Sequence, residues 1–126
     1  MTRVQLVQKI KKRKEQIGIT IENLSALSNV GVRTLNRFFA GDDVKLSTVE
    51  KITNALGLDF AGNEIVDIEA LKQQRAKEKA LYIVSLVQDT SSLEKQGLEQ
   101  GMLDTFIKEA KKEFLEGSYQ KNLWAN

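Results

Sequence analysis

Apolar residues recur at helical spacing along most of the chain. Val4, Val7, Ile10 and Ile17, with Leu6 beside them, predict a first helix. Thr2 is its candidate N-cap, Gly18 its left-handed end, and Ile19 the apolar contact that follows such an end. Thr20 is the next candidate cap, with Glu22 placed to complement the helix dipole. Leu24, Ala26 and Leu27 support only a very short helix before Asn29-Val30-Gly31, where Asn tolerates and Gly freely supplies positive φ. Leu35, Phe38 and Phe39 predict a second short helix over about 32–40, closed by Gly41, with Asp42-Asp43 as a turn. Leu46, Val49, Ile52, Ala55 and Leu56 form the stripe of a fourth helix over about 46–56. Ser47 and Glu50 have capping-box spacing, and Gly57-Leu58 reads as a Schellman stop.

The stretch 59–67, with a turn at Gly62-Asn63, is a candidate boundary. Beyond it Ala76, Ala80, Ile83, Val84 and Val87 predict a long helix over about 68–88. Asp89-Thr90-Ser91-Ser92 is expected to break it, with Ser91 and Glu94 capping a short helix or turn over 93–100 that Gly97 and Gly101 weaken. Leu103, Phe106, Ile107, Ala110 and Phe114 predict a last helix over about 102–116, ended by Gly117. The remainder, 118–126, is read as a tail. No repeat and no convincing strand pattern is present, so the expected class is all-α.

Composition narrows the function. The 126 residues are 41% apolar and 29% charged, a globular balance. There is no proline, which favours uninterrupted helices. There is no cysteine and no histidine. Disulfides, Cys–His and Ser–His–Asp nucleophile machinery and ordinary zinc sites are therefore excluded. No carboxylate pair or glycine-rich phosphate loop stands out, so the expectation is no enzyme, no metal and no cofactor. No apolar run reaches the roughly 18 residues of a membrane span, and the first residues lack a secretory pattern. A cytoplasmic protein without a membrane partner is expected. The net charge of +2 divides unevenly, +4 over residues 1–60 and −2 over the rest. A basic first half suits a polyanion. The run Lys11-Lys12-Arg13-Lys14 is read as a solvated helix face adding general attraction.

The segment 20–41 is the most informative. Two short helices joined by so tight a turn must cross steeply, with Leu24, Leu27, Val30, Leu35 and Phe38 fixing the angle. That is a helix-turn-helix, whose second helix fits the DNA major groove. Val32, Arg33, Asn36 and Arg37 fall on one face of that helix. Arginine can pair both guanine O6 and N7, asparagine can pair adenine N6 and N7, and Val32 can touch a thymine methyl.

The segment resembles the lambda-repressor/Cro-like family of helix-turn-helix regulators over about 20–58, extending back through the first helix. The family's helix-two Thr matches Thr20, its core Leu matches Leu24, and its turn reads Asn29-Val30-Gly31. Thr34-Leu35, Phe38 and Gly41 match its recognition helix, and Ile52, Ala55, Leu56 and Gly57 match its later Ile-x-x-Ala-Leu-Gly pattern. The resemblance implies phosphate contacts near Thr20, Thr34 and Lys45. Two positions depart from the pattern: Ile21 replaces the family's Gln, and Gly31 replaces its capping Ser.

The expected organisation is a lambda-repressor-like helix-turn-helix domain at 1–62, a helical C-terminal extension at 63–117 that dimerises or binds a partner, and the tail. One helix-turn-helix reads few base pairs, so the expected function is a regulator of transcription that binds a palindromic operator in double-stranded DNA as a homodimer. Repression of its own promoter is the expected outcome. The alternative is an antitoxin that also neutralises a protein toxin through its C-terminal helices and tail, with Tyr119, Leu123 and Trp124 docking on the toxin. Against that stands the simpler reading that Leu123 and Trp124 cover their own core.

Overall fold

The computed structural model describes residues 1–93 and 100–125. They divide into two compact units, Met1–Leu71 and Lys72–Ala125.

The first unit begins with α1 (Arg3–Ile17), opened by a capping box in which Thr2 and Gln5 bond each other's backbone N–H. Gly18 closes it at φ 80°, and Ile19 is buried behind it. Helix α2 (Ile21–Ser28) starts where Thr20 Oγ1 accepts the Asn23 N–H at 3.1 Å, and ends at Asn29, φ 58°. The tight turn leads directly into α3 (Val32–Phe39), whose closing Gly41 has φ 94°. Helix α4 (Leu46–Ala55) ends in the expected Schellman pair, Leu58 N–H to Thr53 O and Gly57 N–H to Asn54 O. Helix α2 packs on α3 and α4, and α1 on α3. The resulting core contains Ile10, Leu24, Leu35, Phe38, Ile52 and Leu56, all essentially out of solvent. The helix-turn-helix is therefore braced from both sides.

Three local expectations change. Helix α4 starts at Leu46 after an extended Lys45 with no side-chain cap, so Ser47 and Glu50 form no capping box. Leu46, in the first turn of that helix, is 73% exposed instead of joining the stripe. Arg13 is not part of a solvated basic face: it is 5% exposed. Its Nε donates to Leu56 O at 2.9 Å and its two terminal nitrogens reach Glu64 and Val66 O.

Those bonds tie the segment after α4 back onto α1. Leu58 and Glu64 pair in a short antiparallel bridge around a turn that the Asp59 carboxylate closes, accepting from the Ala61 and Asn63 N–H groups at 2.9 Å. The Asn63 backbone bond is the largest cause holding the Asp59 carboxyl below its usual range, against a smaller opposing effect of desolvation. The compact unit consequently extends to Leu71, past the boundary expected at 62.

Helix α5 (Ile68–Leu93) is started by Asp67, whose carboxylate accepts the Ala70 N–H at 2.7 Å. It runs through Asp89-Thr90-Ser91-Ser92, where a break was expected. Neither Gly nor Pro occurs within it, and Ser, Thr and Asp each cost a helix well under about 1 kcal/mol. The short helix expected over 93–100 falls largely on 94–99, outside the described residues.

In the second unit α5 buries Ala76, Ala80 and Val84, and α6 (Gln100–Glu116) buries Leu103 and Phe114. Gly101 sits in the first turn of α6 and does not delay it. A 3₁₀ turn (Gln120–Asn122) packs on α6, and Tyr119 lies against Phe114 at 5.7 Å between ring centroids. The final residues are ordered into the unit: Arg75 donates to Leu123 O and Ala125 O at 2.9 and 2.8 Å.

Candidate nucleic-acid interface

Helix α3 is short enough that its residues separate cleanly into two sets. Leu35 and Phe38 point into the core, at 0% and 2% exposure, and Phe38 meets the half-buried Phe39 edge-on at 5.2 Å. Val32, Arg33, Asn36 and Arg37 are all exposed. Two buried anchors thus fix the rotation of the rod, and the polar side chains face solvent because their neighbours do not.

The two arginines differ. Arg33 makes no ion pair among the described residues. Arg37 faces Asp42, with Nε 3.6 Å from Oδ2. The neighbouring Asp43 turns elsewhere, to Arg3 at 3.5 Å. Asp42 is held in register with α3 by its own backbone, its N–H donating to Arg37 O at 2.9 Å.

A groove runs from this face to the start of α4, lined by Thr34, Arg37, Asp43, Val44, Lys45 and Thr48. The first backbone N–H groups of α4 have no side-chain cap, which suits an anionic oxygen. Thr34 and Lys45, expected near phosphates, are brought together here. Thr48 was not anticipated, since nothing local distinguishes a half-buried Thr in a first helical turn from a structural one. Thr20 lies at the start of α2, its oxygen occupied as an acceptor and its hydroxyl proton still able to donate. Gly31 caps α3 through backbone alone.

The residues expected to contact a protein partner lie in the second unit. Tyr119 is 53% exposed, but Leu123 and Trp124 are buried at 4% and 8%. In this conformation those two side chains are part of the chain's own packing and present no docking surface. No helix among the described residues is long and apolar enough to cross a membrane.

A pair of short helices packed on each other across a tight turn, with a braced first member and a polar, outward second member, is the arrangement of a DNA-reading helix-turn-helix. Residues 10–63 match the family model described as helix-turn-helix. The N-terminal unit belongs to the lambda-repressor/Cro-like helix-turn-helix family, a DNA-binding domain of transcription regulators and not an enzyme family. No curated protein and no solved structure matches the chain.

Proposed function

We propose that the protein is a sequence-specific regulator that inserts α3 into the major groove of double-stranded DNA, binding a palindromic operator as a homodimer and repressing its own promoter. The observation that carries this is the division of α3, with Leu35 and Phe38 buried while Val32, Arg33, Asn36 and Arg37 are exposed. On this reading Arg33 and Arg37 address guanines, Asn36 an adenine and Val32 a thymine methyl. Thr20, Thr34, Lys45 and Thr48 hold the phosphates that set the docking angle.

Dimerisation follows from the small footprint of a single unit, because pairing two of them across a dyad multiplies both affinity and site length. The helices after residue 67 are the material available for it, with Leu81 and Tyr82 on α5 exposed at 44% and 64%.

Selection from a pool of randomised duplexes, followed by sedimentation of the protein on the recovered DNA, tests this reading. The expected result is an inverted repeat carrying two chains, with affinity that falls steeply as salt rises. Recovery of no preferred sequence, together with a flat salt response, contradicts it. Occupation of the protein's own upstream region by footprinting tests the autoregulatory part.

A further inference from the structure

We infer that Asp42 is a positioning residue for base reading: it holds the Arg37 guanidinium so that its two terminal nitrogens face the DNA. This rests on the reading of α3 given above and adds to it a residue that itself touches no base.

A carboxylate beside a surface that meets a polyanion weakens general attraction to it, so Asp42 needs a compensating role. Stability does not supply one. The Arg37 and Asp42 side chains are 55% and 57% exposed, and ion pairs so exposed contribute little to folding. The geometry is more informative. The carboxylate faces Nε, on the flank of the planar guanidinium, at 3.6 Å. The opposite edge, with its two terminal nitrogens, is the one that grips guanine O6 and N7 together, and a partner at Nε leaves that edge open. The bracing group is itself fixed, because the Asp42 N–H closes the end of α3 on Arg37 O at 2.9 Å. Donor and brace are thus set by the same turn. Asp43 pairs with Arg3, so the two acids of this turn have separate partners. Arg33 has no such brace among the described residues, which makes it the internal comparison.

The test uses the full chain, a duplex recovered by selection, and the set of its single-base-pair variants. Affinities are measured for the parent protein, Asp42→Asn, Arg37→Ala and the double variant. The parent is expected to discriminate about tenfold to a hundredfold at the base pair that Arg37 reads. Asp42→Asn should lose about two- to fivefold of that discrimination, at that base pair and not at the one Arg33 reads. In the Arg37→Ala background the same change should alter nothing further. Asp42→Glu, which keeps the charge, should restore part of the loss. If Asp42→Asn instead tightens binding to every duplex equally with discrimination intact, Asp42 only repels phosphate and the inference is overturned. If the parent protein discriminates at no base pair, the reading of α3 fails, and this assignment with it.

Discussion

Replacing Arg13 by Met separates the structural from the electrostatic use of the basic helix. Arg13 stands in a run of four cations, yet its side chain is only 6% exposed and it serves three acceptors. Methionine keeps much of the apolar stem and removes every donor. The Leu56 carbonyl, on a residue 1% exposed, then loses its side-chain donor. A buried acceptor left without a partner costs about 1–3 kcal/mol. Glu64, half exposed, and Val66, 37% exposed, can turn to water, so their losses are smaller. Relief of a buried charge offsets part of the total. The net expectation is about 2–3 kcal/mol. For a unit of this size each kcal/mol shifts the midpoint by about 4–8 °C, so the first unit should melt about 10–20 °C lower. Thermal unfolding by circular dichroism reads this directly. DNA affinity measured well below the new midpoint should change less than about twofold, because Arg13 does not face solvent. Arg13→Lys should not rescue stability, since one ammonium cannot reproduce the planar fork. An unchanged midpoint with a tenfold loss of DNA affinity would mean that Arg13 contacts phosphate, and the account of α1 would be wrong.

Gly31→Ser should raise the melting temperature, by about 0.5–1 kcal/mol in stability, because φ is −60°, no atom lies within 4 Å of an added Cβ, and serine supplies the missing cap; a lower midpoint would show that the turn needs glycine. The Asp59 carboxyl is held low when folded, so its contribution to stability is present above the unfolded carboxylate pKa and lost as pH falls through the lower folded one. Asp59→Asn should flatten the acid limb of a stability–pH profile below about pH 4, and an unchanged limb refutes that. Trp124→Ala should destabilise the chain by about 3–5 kcal/mol, given 8% exposure; a variant as stable as the parent would return Trp124 to the role of a docking side chain.

Legibility in the sequence followed the range of the physics. Caps at Thr2, Gly18, Thr20, Asn29 and Gly57 were readable because a cap is decided within a few residues. The two faces of α3 were readable because Leu35 and Phe38 share a helical register that leaves Arg33, Asn36 and Arg37 opposite. Arg13 was misread because its partners stand 43 to 53 residues away, and a local charge run gives no sign of them. The extension of the first compact unit to Leu71 was not legible for the same reason, since it depends on the bridge between Leu58 and Glu64 and on the bonds from Arg13. The capping box expected of Ser47 and Glu50 was a misreading, because α4 starts at Leu46 after a backbone cap at Lys45 that no side chain announces. The ion pair at Asp42 was also invisible as chemistry, because a turn rich in aspartate reads first as turn composition.

The most direct test of the central claim, that α3 presents its outer face to base edges, is a loss-of-contact measurement with Arg33→Ala on a selected duplex and its single-base-pair variants. Discrimination of about 1–3 kcal/mol is expected to vanish at one base pair per half-site while every other position is read as before. A uniform loss across all positions, with no base pair singled out, would place Arg33 on the phosphate backbone and contradict the claim.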